Sequence, residues 1–115
     1  MTRCEFIIDE QCVEGTDNRR IRGFRISGHS GYGEAGQDIV CAAISAATAM
    51  AEATINDVCG GKAKVRVKDA DARITLTLPT SCDEEETVQA VLAGMLVTLL
   101  SIQEDYPDYI EVLEV

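Results

Sequence analysis

Two short runs past the middle of the chain restrict its fold more than anything else in it. Residues 63–69 alternate, with Val65 and Val67 on one side and Lys64, Arg66 and Lys68 on the other. Residues 73–78 alternate again, Ile74, Leu76 and Leu78 against Arg73, Thr75 and Thr77. Asp69-Ala70-Asp71 between them is turn chemistry. A period of two demands strands with one apolar and one polar face. Two such strands about a tight turn make an antiparallel hairpin. The wet face leaves room for helices on one side only.

The other elements fit around that sheet. Residues 4–9 (Phe6, Ile7, Ile8) and 21–27 read as a second hairpin across Gly15 and Asp17-Asn18. In it Phe24 and Ile26 share a face, and Ile21 falls on the opposite one. A helix is expected from Gln37 or Asp38, with Val40, Ala43, Ile44, Ala47, Ala51, Ile55 and Val58 as its stripe and Gly60-Gly61 as its end. Ser81 to Glu84 has the spacing of a capping box for a second helix. That helix carries Val88, Val91, Leu92, Met95, Leu96, Leu99 and Ile102 and stops before Pro107. Residues 109–115 read as a last strand. The expected architecture is α+β, one domain over residues 1–115, in ββαββαβ order. Its sheet is mostly antiparallel, with two helices on one face.

Charge and cysteines narrow the function. The 115 residues carry 20 acids against 10 basic residues, a net charge of −10, which argues against a direct nucleic-acid partner, is compatible with a basic one, and for the most part reads as a solvated acidic surface. Five cysteines at 4, 12, 41, 59 and 82 form no Cys-x-x-Cys, and there is one histidine. Neither a zinc site nor a disulfide framework is supported, and no cofactor is implied. The N-terminal residues show no signal peptide, and no uncharged apolar run looks long enough to span a bilayer. A reduced cytoplasm is the expected location.

Residues 28–45, GHSGYGEAGQDIVCAAIS, hold the chemistry. Gly31, Gly33 and Gly36 fit the G-x-G-x-x-G phosphate pattern. However, Glu34 would put a carboxylate in the nest, and the following strand supplies no acid at the usual ribose spacing. The alternative is a thiol nucleophile, Cys41, with His29 as its base. Asp38, Cys41 and Ser45 lie three and four residues apart, on one helix face flanking the apolar stripe. On spacing alone the balance lies with the plainer roles: Cys41 a buried packing cysteine, His29 a loop residue, Asp38 a first-turn acid suited to the dipole, and Ser45 a small packing residue. The other four cysteines read as structural. Gly28, Gly31, Gly33 and Gly36, with Tyr32, make a loop able to close over a peptide.

Residues 26–32 (ISGHSGY) followed by residues 36–45 (GQDIVCAAIS) resemble the ribosomal-processing cysteine protease family, over a long match of fixed spacing. Length and element order agree along the rest of the chain. The resemblance implies a small α/β homodimer. It implies removal of a short N-terminal extension from large-subunit ribosomal protein twenty-seven, beside an aromatic-containing site. By position, the family's nucleophile falls on Cys41, its histidine on His29, and its aspartate and serine on Asp38 and Ser45. Gly33 stands where alanine is expected and Ala35 where an aromatic is common, so contacts to the substrate peptide differ there. Two rival functions are a non-catalytic ribosome-assembly binder of the same fold and a thiol-based redox or metal protein.

Overall fold

In the computed structural model, which describes residues 1–13, 15–28 and 35–115, five strands form one mixed sheet. β1 (Thr2–Cys12) pairs antiparallel with β2 (Arg19–Ser27), and β3 (Lys64–Lys68) with β4 (Arg73–Thr77). β4 docks antiparallel on β2. β5 (Ile110–Glu114) runs parallel to β1 and completes the order β3-β4-β2-β1-β5. α1 (Ala35–Glu52) and α2 (Glu85–Asp105) pack on one face. The α+β class, the element order and the two-helix layer agree with the sequence reading.

The core is aliphatic apart from Phe6 and Phe24, which face each other across β1 and β2 with ring centroids 6.1 Å apart. The register steps from Ile7↔Gly23 to Ile8↔Ile21, leaving Arg22 as an extra residue. This bulge turns Ile21 onto the core face beside Phe24, reversing the side expected from strict alternation. The Ile21 backbone pairs with a side chain of α2: its N–H donates to Gln89 Oε1, and Gln89 Nε2 donates to its carbonyl, both at 2.8 Å. Next to it, buried Arg20 donates to Glu85 Oε1 and to the Pro79 carbonyl, with Asp9 3.6 Å away. These contacts fix the start of α2 against β1 and β2.

Other details depart from the sequence reading. The Ser81–Glu84 capping box does not form: Glu84 is left-handed (φ +56°) with no side-chain cap bond. Cys82 turns instead toward the Gly61 carbonyl, 3.4 Å from its sulfur. α1 runs on through a π-helical turn, Ala53–Val58, whose wider spacing keeps Ile55 buried but leaves Val58 78% exposed. The Gly61 N–H closes that helix on the Ile55 carbonyl at 2.7 Å, so the predicted end holds. Val67, expected under the helices, is 64% exposed, because the far end of the β3–β4 hairpin reaches past them. Gly36–Val58 and Glu85–Asp105 are long and apolar enough for membrane spans by length and composition, at mean hydropathy 1.4, although each carries acidic residues. Here both lie along the sheet, each with one stripe in the core.

Candidate active site

α1 begins at Ala35, before the expected start, so Cys41 is its seventh residue. It lies beyond the first turn, where the helix dipole acts most strongly. Cys41 is buried, 6% exposed, yet lines an open groove of about 440 Å³. α1 supplies one wall through Cys41, Ser45, Ala49 and Glu52, and the β3–β4 hairpin supplies the other through Val67, Asp69 and Ala72. Ile26, Ile44 and Ile74 make the lining between them mainly apolar. A side chain or peptide lying there passes beside Cys41.

Two polar groups hold the thiol. Gln37, one helical turn earlier, donates from Nε2 to Cys41 Sγ at 3.1 Å. Thr2 Oγ1 lies 3.9 Å from the same sulfur and accepts from Gln37 Nε2 at 3.5 Å. Both residues are buried. A carboxamide N–H aimed at sulfur is a ready partner for the negative charge of a thiolate. Neither residue was a site candidate on sequence grounds. Gln37 was discoverable, since a polar residue four before a helical cysteine shares its face. Thr2 had no such signal, because only the folded β1 carries the chain start to α1.

Asp38 is exposed in the first turn, and Ser45 is exposed where it lines the groove beside Cys41. His29, Gly31, Tyr32 and Gly33 lie outside the described residues. The two flanking glycines are described. Gly28 has φ +82°, and a Cβ there would sit 2.7 Å from the Met1 carbonyl oxygen. A Cβ at Gly36 would sit 2.8 Å from the Tyr109 ring. The start of α1 is thus packed under an aromatic from the segment entering β5. We expect Gly36→Ala to push the two apart at a cost of about 1–3 kcal/mol. The check is a lowered melting temperature together with weakened peptide cleavage.

The remaining cysteines differ from Cys41. Burial pushes the Cys4 thiol up to about 12, which keeps it protonated. Cys82 is raised too, by burial first and by the Glu85 carboxylate next. Cys59 is half-buried against the core. Cys12 is exposed rather than packed, contrary to its structural reading.

An α+β frame presenting a groove-lining thiol beside an amide and a hydroxyl is an arrangement on which a cysteine hydrolase can be built. Comparison with known proteins narrows the class. The family model described as "Cysteine protease Prp" matches residues 10–111. The ribosomal processing cysteine protease Prp of Bacillus subtilis is 28% identical over 102 residues, covering 87% of this chain and 91% of that protein. The fold matches the crystal structure of a ribosomal processing protease Prp from S. aureus with a substrate peptide (TM-score 0.83, 22% identity, both chains fully covered). It also matches the S. aureus protease carrying a covalently linked product peptide (TM-score 0.78, 24% identity, both fully covered). The chain belongs to the cysteine protease Prp family.

Proposed function

We propose that the chain removes a short N-terminal extension from large-subunit ribosomal protein twenty-seven, using Cys41 as nucleophile and His29 as base. The observation that carries this reading is the Cys41 sulfur, held by Gln37 in the wall of a mainly apolar groove of about 440 Å³. The B. subtilis relative is a ribosomal processing protease, and the S. aureus one has been seen with a substrate peptide and with a covalently linked product peptide. A covalent product fits acyl transfer through sulfur.

In that chemistry the His29 imidazole takes the thiol proton and the sulfur forms a bond to the scissile carbonyl carbon. The carbonyl electron pair moves onto oxygen. When the tetrahedral adduct collapses, the amine leaves with the proton from His29, and a thioester remains on Cys41. Water, deprotonated by His29, then releases the acid. The loop and the start of α1 are candidate oxyanion donors. Gln37 keeps the sulfur facing the groove. Asp38 and Ser45 are supporting candidates, and a dyad is sufficient for the reaction. The groove's aliphatic lining suits the aromatic-containing site, and the surplus of acids draws a basic ribosomal protein toward it. The site of action is the cytoplasm, where the thiol stays reduced. The test is incubation with the extended ribosomal protein followed by mass spectrometry. One cut at the extension boundary is expected, and an untouched protein rejects the substrate assignment.

The homodimer belongs to the same proposal. Ile39, Met50, Val97 and Leu100 are exposed on the helices, and a groove between α1 and α2 is lined by small residues, among them Ala46, Ala90 and Gly94. A second copy's helix layer matches this surface in size and apolarity. A Cβ at Gly94 meets nothing within 4 Å, so Gly94→Arg is tolerated by one chain and obstructs the groove. We expect this variant to run as a monomer on size exclusion where the native chain runs as a dimer.

A further inference from the structure

The charge of this chain is unevenly distributed. The strand registers place Lys64, Arg66 and Lys68 of β3, Arg73 of β4, Arg25 of β2 and Arg3 of β1 on the sheet face away from the helices; Lys68 and Arg73, at the end of the hairpin, also border the Cys41 groove. These are six of the ten basic residues. Within the paired register, only Glu5 and Glu111 at the β5 side oppose them. A chain of net charge −10 therefore has one positive face.

Local contacts bear this out. Arg25 holds Glu5 through bonds of 3.1 and 3.2 Å. That bond, then the charges of Arg25, Arg3 and Arg73, keep the Glu5 carboxyl below its usual range against the opposing effect of burial. One carboxylate thus serves three guanidinium groups. Arg73 Nε is buried and has no hydrogen-bond partner among the described residues. Lys64, Arg66 and Lys68 are exposed and in no ion pair among the described residues. Alternating charges on an edge strand discourage unwanted strand pairing, which explains β3. It does not explain Arg73 and Arg3 on the inner strands.

The lining between the charges selects the partner. On the β3–β4–β2 part of this face the companions are Thr75, Thr77, Ser27 and Gly23, with no aromatic or large apolar side chain. A protein interface needs an apolar centre. Phosphates need cations and hydroxyls at regular intervals, which strands supply every ~7 Å along their length and ~5 Å across. The absence of aromatics there removes base stacking. We propose that the open face of the sheet docks a nucleic-acid backbone through its phosphates, without reading its sequence. The whole-chain charge argued against this partner because a sum of signs ignores their placement.

The experiment is anisotropy of a labelled single-stranded RNA oligonucleotide titrated with the native chain between 50 and 200 mM salt. If five cations each meet a phosphate, log K falls against log salt with a slope of about −3.5. Lys64→Glu/Arg66→Glu is expected to weaken binding at least about tenfold at the low-salt end and to flatten the slope to about −2. The variant should cut a free extension peptide at the native rate, and Cys41→Ser should bind RNA as the native chain does. Lys64→Gln/Arg66→Gln, a milder change checked by its melting curve, gives a reading should charge reversal unfold the edge. No RNA binding at low salt overturns the proposal, as does equal binding by a folded variant. Displacement of RNA by polyglutamate at matched charge would also overturn it, in favour of an acidic polypeptide.

Discussion

Cys41→Ser is expected to lower cleavage of the extension peptide by at least about a thousandfold while leaving the fold and peptide binding in place. Cys41 is nearly enclosed, and the smaller hydroxyl keeps an acceptor for the Gln37 amide, so the groove should survive the exchange. What disappears is the sulfur nucleophile that forms the thioester. His29→Ala should show a comparable loss, since the sequence contains no second imidazole. The measurement is single-turnover cleavage alongside titration of a labelled, uncut peptide. Retained turnover in the serine variant would move the chemistry off Cys41. Loss of both binding and turnover would make the cysteine a packing residue.

The second large effect concerns stability. Gln89→Leu should cost about 2–4 kcal/mol, because it leaves the Ile21 N–H and carbonyl without partners beneath α2. For a chain of this size that corresponds to a melting temperature lower by roughly 10–20 °C. Leucine fits the volume, so the loss isolates the hydrogen bonds from packing. A thermal melt within a few degrees of the native chain would show that the β2 bulge holds without its clamp.

The places where sequence reading succeeded and failed have physical causes. The β3–β4 hairpin was legible because strict alternation admits one solution, and α2 because its apolar residues keep helical spacing from Val88 to Ile102. Ile21 was misplaced because a bulge shifts the period by one residue, and nothing in Arg22 announces it. The capping box failed because local spacing does not reveal that Cys82 is drawn toward Gly61. Val58 left its stripe because a π-helical turn changes the phase. Helical spacing placed Cys41 and Ser45 on one face of α1, and both line the groove. Thr2 was not legible, since its position depends on β1 being carried between β2 and β5. The groove itself was invisible, because it exists where a hairpin overreaches its helices.

The parallel pairing of β1 with β5 has a kinetic consequence. Tyr109 accepts the Thr2 amide through its carbonyl at 2.9 Å and lays its ring on Gly36, so the approach to β5 closes over both the entry to β1 and the start of α1. Until this long-range pairing forms, Thr2 and Gln37 are not placed around the sulfur. Proteolytic competence should therefore appear only with this non-local step of folding.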